Sequence, residues 1–253
     1  MAKQDQRPVE FIKILKMARE AKLKVKLLAW TRNPEQNVVA AIRQCYSAVG
    51  AVELKKKTDE ETKKRLIKLV MDSGHTSTIE HASFTFAVEG ISRVTEVQLV
   101  RHRIGTSFSI QSGRYVKRNE AGYKIPASIK NDKTLLKKFR EHMDRTQKLY
   151  GELTEAGVPP EDARYCQPQS LQTKLVLTMN ARALWHFFEL RCCNRAQWEI
   201  RALASEMLKL VKKKAPLLFA SAGPTCVSEK ICWEGKMSCG RYKSLGGELR
   251  SRT

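Results

Sequence analysis

The sequence predicts a mixed α+β fold, helix-rich and held in one domain, and three observations carry that expectation. Amphipathic stretches with cap and stop residues recur along most of the chain. Short runs of β-type residues stand between them, and no repeat, low-complexity tract or Pro/Gly-rich linker divides the whole. At 253 residues, 42% hydrophobic and 29% charged, the chain is long enough to bury a core without disulfide staples.

The elements follow in order. Residues 1–24 are basic and read as a helical N-terminal extension, ahead of a domain over 25–219 and a tail over 220–253. Val25–Ala29 (VKLLA) is an apolar run suited to a strand. Asn33 followed by Pro34 marks a helix start, and the helix is expected over 33–49. Thr58 is placed to cap 59–73, where Leu66, Leu69 and Val70 form a stripe and Gly74 stops the helix. Ser83–Glu89 carries β-type residues, Ile91–Arg103 reads as helix, and a Gly/Ser/Thr loop runs into Ser112–Lys117. Leu135–Ala156 is a long amphipathic helix ended by Gly157, and Glu161–Cys166 is a short helical turn. Thr173–Met179 is a strand candidate. Helices over Ala181–Arg191 and Ala196–Lys213 follow, the second stopped before Pro216. From Ala220 onward Gly, Cys and charge occur with little periodicity.

Charge narrows the function classes. The 47 Lys+Arg against 26 Asp+Glu leave a formal net charge of +21, which favours nucleic acid, an anionic membrane surface or polyphosphorylated small molecules as partners. No apolar run approaches the roughly 18 residues of a membrane span. The amino terminus lacks an apolar signal core, so a soluble, cytoplasmic protein is expected. Cys45, Cys166, Cys192, Cys193, Cys226, Cys232 and Cys239 are an odd set, expected as reduced thiols.

Chemistry concentrates in three stretches. In Gly74–His81 two His flank a carboxylate, but the His75-x5-His81 spacing fits neither a helical i,i+4 pair nor a zinc finger; a polar loop is the simpler reading. A zinc-dependent hydrolase built on these His lacks a third ligand. In the second stretch Gln98 and Arg101 share a helix face, and Arg101-His102-Arg103 sets two forked cations around an imidazole, suited to phosphate oxygens or to a solvated helix end. Ser112-Gly113-Arg114 presents successive N–H groups to an anion. No Walker-type loop is present. In the third, Arg182 and His186 stand at i,i+4 on a helix rich in Leu, Phe and Trp, and Arg191 ends it; guanidinium groups flanking so apolar a helix need anionic or carbonyl partners.

These blocks, His75–His81 with Phe84-Thr85-Phe86, Gln98–Arg103 leading to Ser112–Tyr115, and Asn180–Arg191 with Ala196–Ile200, closely resemble the flavin-dependent thymidylate synthases. The match runs in order from about Val25 to Phe219. The resemblance implies a mixed sheet flanked by helices, assembled as a homotetramer with active sites between subunits. It implies conversion of dUMP to dTMP, with methylene-tetrahydrofolate as carbon donor and FAD, reduced by NADPH, as hydride donor. It places Ser77, Arg101, His102, Arg103, Asn180, Arg182 and His186 at FAD. Gln98, Arg101, Gln111, Ser112, Gly113, Arg114, Arg164 and Arg191 fall at dUMP, with Arg191 as the catalytic residue that stabilises negative charge on the uracil ring. No cysteine is required for catalysis, and Cys192-Cys193 reads as a packing pair.

Two departures stand out. Eight residues separate Arg103 from Ser112 where the common signature has seven, and Ile110 occupies a slot where members carry Glu or Gln, so Gln111 is expected to take over that contact. The tail spacing Cys226-x5-Cys232-x6-Cys239 is looser than usual zinc pairs, and no metal is assigned. The alternative, a basic nucleic-acid-binding protein, lacks paired zinc ligands and an aromatic RNA-recognition signature. A secondary nucleic-acid affinity is left open by the charge alone.

Overall fold

Phe84, Phe86 and Val88 alternate with Thr85, Ala87 and Glu89, and that period of two decides which face of the sheet is buried. A computed structural model describes residues 19–117 and 121–251; the helical extension expected at the amino terminus lies, through residue 18, outside the described residues. Strands β1 (Lys24–Trp30), β2 (Ser83–Ser92), β3 (Thr106–Ile110) and β4 (Gln172–Asn180) form one antiparallel sheet in the order β1-β2-β4-β3. Phe84 pairs with Met179, Phe86 with Leu177 and Val88 with Leu175, and these six side chains are buried together. The opposite face carries Thr85, Ala87, Val176 and Thr178, none of them fully buried.

The helices are α1 (Pro34–Gln44), α2 (Ala51–Lys56), α3 (Glu60–Ser73), α4 (Arg93–Leu99), α5 (Ala127–Lys130), α6 (Lys133–Glu155), α7 (Pro160–Ala163), α8 (Ala181–Arg191), α9 (Trp198–Lys214), α10 (Thr225–Ser228) and α11 (Arg241–Ser244). α1, α3, α8 and α9 put Val39, Val70, Phe187, Phe188, Leu203 and Met207 into the core against the sheet. Phe219, beyond α9, completes it edge-to-face with Phe84 at 5.5 Å. Glu199 of α9 is buried and accepts from the Ser92 backbone N–H at 2.7 Å, tying α9 to the junction of β2 and α4. α6 instead packs on a smaller cluster, with Met143 against Tyr123 and Ile125. Among the described residues no helix is long and apolar enough to cross a membrane.

Several boundaries differ from expectation for identifiable reasons. The expected mixed sheet resolves into the antiparallel four and a parallel two-stranded ladder in the tail, β5 (Ile231–Cys232) with β6 (Glu248–Leu249). β2 runs on through Ser92 because a register shift between Glu89 and Ile91 and Gly90 (φ +71°) let the strand pass close to Lys22. The helix expected over 91–103 is therefore confined to α4, whose cap is Ser92 accepting from Thr95 N–H. Arg101 lies beyond its end and shares no helix face with Gln98. α1 stops at Gln44 instead of continuing to residue 49. α3 is capped by Asp59, which accepts from Thr62 N–H at 2.7 Å, and not by Thr58, whose hydroxyl donates to the Leu54 carbonyl. The segment read as a Gly/Ser/Thr loop contains β3, where Phe108 packs on the core and Ser107 and Ser109 point the other way.

Candidate active site

β4 runs directly into α8, and the loop between α4 and β3 crosses in front of that junction. Asn180 caps α8, its Oδ1 accepting from Ala183 N–H at 2.8 Å, and its own backbone N–H donates to the Gly105 carbonyl at 3.0 Å. Gly105 is left-handed (φ +68°), and a Cβ there would stand 2.6 Å from Asn180 Nδ2, so only glycine lets the loop lie this close. This contact delivers Arg101-His102-Arg103 to the first turns of α8. The result is an open cleft of about 1130 Å³ whose wall includes Arg101, His102, Arg103, Asn180, Arg182, His186 and Arg191.

At its centre Arg191 Nε donates to His102 Nε2 at 3.0 Å. The accepting nitrogen carries no proton, so the imidazole is neutral with its proton on Nδ1. Burial, then the charges of Arg191 and His186, push the His102 pKa down to about 4. Phe187 closes over the ring edge-to-face at 5.0 Å. Arg191 is itself half-buried, and burial together with the neighbouring Arg101 guanidinium lowers its pKa. Its neighbours are a neutral imidazole and a second cation, an arrangement that an entering anion relieves. At the rim Arg182 pairs with Glu80 at 2.7 Å, both well exposed, a bond easily exchanged for a phosphate.

The remaining expected residues lie elsewhere on the chain. Ser77 is exposed on a 3-10 turn (Thr76–His81), while Thr76 and Glu80 of the same turn line the cleft. Gln98 turns its amide back to the Val94 carbonyl. Gln111 donates its N–H to the Lys174 carbonyl at the far end of β3 and β4. Ser112 Oγ accepts from Arg114 N–H at 3.1 Å, and Arg114 reaches Glu161 at 2.7 Å. Arg164 donates to the Glu161 carbonyl, so Arg114 and Arg164 meet at one residue. Six residues of extended chain from Gly105 to Gln111 place this second cluster roughly 20 Å along the sheet from the cleft. Gly113 lies within it.

Sequence reasoning passed over Glu189. It lines the cleft, and burial, with Glu229 close by, raises its pKa against the opposing hydrogen bond from Ser228. Its place at i,i+3 from His186 on one helix was the available signal. Ser228 and Glu229 come from the tail, and nothing in local sequence signals that the tail forms a cleft wall.

Fold and cleft define a class: an α+β domain with an arginine-lined cleft, a chemistry suited to anionic ligands. Residues 26–217 match the family described as thymidylate synthase complementing protein. The flavin-dependent thymidylate synthase of Clostridium tetani is 48% identical over 239 residues, covering 88% of this chain and 95% of the relative. That of Geobacter sulfurreducens is 48% identical over 221 residues, covering 87% and 94%, and that of Pyrococcus abyssi 41% over 223, covering 85% and 91%. The chain belongs to the flavin-dependent thymidylate synthase family. These matches lend no support to the nucleic-acid-binding alternative.

Proposed function

We propose that this chain is a flavin-dependent thymidylate synthase, an enzyme that methylates dUMP to dTMP with methylene-tetrahydrofolate as carbon donor and NADPH as reductant. The observation that carries the reading is the Arg191–His102 pair beside Arg101: a guanidinium held in a half-buried site with no counter-charge from the imidazole it bonds. The cleft suits FAD. Three guanidinium groups, Arg101, Arg103 and Arg182, border a space at the upper end of ligand-pocket volumes, and a diphosphate would replace the carboxylate that Arg182 now holds. When bound, FAD supplies the hydride that completes the methyl group.

The chain's own residues do the rest. Uracil is a weak nucleophile at C5, and Arg191 beside its N3–C2=O edge stabilises the negative charge that activates it. Neutral His102 orients Arg191 without neutralising it. Ser77, Asn180 and His186 complete the flavin site. Gln98, Gln111, Ser112, Gly113, Arg114 and Arg164 hold dUMP, with Ser112 binding and not attacking. Gln111, Ser112, Gly113, Arg114 and Arg164 lie at the other end of one chain's sheet from Arg191, which supports a homotetramer in which each site takes its halves from different subunits. The open sheet face with Val176 at 40% exposure supports the same assembly. We take 25–219 as the catalytic domain, 220–253 as a tail that adds one cleft wall, and the cytoplasm as its location.

The purified protein is expected to be yellow and to oxidise NADPH faster when dUMP is added. Protein that cannot be reconstituted with FAD and forms no dTMP from dUMP and methylene-tetrahydrofolate would overturn this reading.

A further inference from the structure

We propose that Cys193, Cys226, Cys232 and Cys239 form a structural zinc site that fastens the carboxyl-terminal tail to the end of α8. These four thiols come from separate segments and line one small cavity, together with Asn194, Arg195, Glu234 and Arg241. Cys226 lies within electrostatic reach of the other three sulfurs. The neighbouring Cys192 behaves differently: it is buried in the main core, so adjacent cysteines serve two different structures.

The tail requires such a fastening. Beyond Pro224 the only fully buried residues among those described are Cys226 and Cys232. The segment is otherwise built of two-residue strands, four-residue helices and a 3-10 turn. Ordering each residue costs about 1–2 kcal/mol of backbone entropy, and a segment with so little apolar burial is held by a covalent or metal staple. Polar groups around the sulfurs fit the metal staple. Arg195 N–H donates to Cys193 Sγ at 3.5 Å and Asn194 Nδ2 to Cys239 Sγ at 3.4 Å. N–H donors to ligand sulfurs are the usual surroundings of a structural metal centre, orienting the groups that hold the ion. A tetrahedral set of four thiolates around zinc carries a net charge of −2, and Arg195 and Arg241 in the cavity wall offset it. Four thiolates select zinc over harder cations.

As the chain stands, no three thiol, imidazole or carboxyl groups among the described residues meet at coordination distance. Cys232 Sγ contacts Ser238 Oγ at 3.3 Å and Cys193 Sγ lies 4.0 Å from Glu234 Oε1. Metal binding exchanges these contacts for Zn–S bonds of about 2.3 Å through rotation of the cysteine side chains, with release of the four thiol protons.

The test is elemental analysis of the full-length protein, produced without a histidine tag and dialysed, with flavin measured on the same sample. About one zinc per chain is expected. Cys226→Ser and Cys239→Ser are expected to lose it, and Cys45→Ser, at an exposed position away from the cavity, to keep it. Chelation of the unaltered protein should expose residues 220–251 to limited proteolysis, a readout that stands even where a variant fails to fold. Protein without zinc, a disulfide among these four cysteines mapped by mass spectrometry, or iron with acid-labile sulfide in place of zinc would each overturn the proposal.

Discussion

Arg191 donates from Nε to His102 Nε2, and that bond requires a neutral imidazole, in keeping with the burial that holds the His102 pKa down. An imidazolium could not accept it. With a pKa pushed down to about 4, His102 stays neutral through the whole neutral range, and NMR should find Nε2 unprotonated at pH 7 with titration near pH 4. The linkage has a definite sign. In the unfolded chain His102 titrates at its ordinary value of 6.5, so as pH falls the unfolded state takes up the proton first. Stability from this group is full above pH 6.5 and lost as pH falls to about 4. Denaturant midpoints of the unaltered protein should therefore drop across that window relative to His102→Gln; parallel curves would refute the neutral-His assignment. Arg191→Ala is expected to lower turnover by at least ~10²-fold, the scale of removing one stabiliser of developing charge, while FAD content is retained. Wild-type turnover would remove Arg191 from the chemistry.

At the scale of elements, the decisive join is the one between the α4–β3 loop and the β4–α8 junction. Asn180 caps α8 while its backbone binds Gly105, so one residue orders two segments. Asn180→Ala is expected to cost about 1 kcal/mol as a lost N-cap. Gly105→Ala should cost more, about 1–3 kcal/mol, because it combines a left-handed backbone with a Cβ driven into the Asn180 side chain. Urea denaturation with FAD titration checks both. If Gly105→Ala binds FAD like the parent, the loop does not position Arg101–Arg103. The elements themselves were unevenly legible. α6, α8 and α9 were plain from periodicity and end signals, since each carries its own stripe and stop. β3 was not. Thr106–Ile110 alternates faintly among serines, and it becomes a strand because β4 offers an unpaired edge.

Across the whole molecule, the arginines expected at ligands divide into two clusters separated along the sheet, one at the cleft and one at Glu161. If each catalytic site joins the cleft of one subunit to the Arg114–Arg164 cluster of another, two inactive variants should rescue each other. Mixing Arg191→Ala with Arg114→Ala under conditions of subunit exchange is expected to restore dTMP formation; continued inactivity of the mixture would place both clusters' functions within single subunits. If the +21 charge attracts anionic ligands at long range, added salt should raise KM more than it lowers kcat.

The sequence by itself determined the helix-rich α+β class, the Arg101-His102-Arg103 and Asn180–Arg191 blocks, and through them the family. Those features are local: caps, periodicity and residue identity at short spacing are written in consecutive positions. Only the tertiary structure decided that Arg191 bonds His102, that Glu189 and the tail share the cleft, that Arg114 and Arg164 converge on Glu161, and that Cys193 joins three distant cysteines. Each of these depends on which segments the sheet and core bring within a few ångströms. That is settled by burial of the apolar faces across the whole chain, and polar residues carried on those segments leave no local pattern of their meeting.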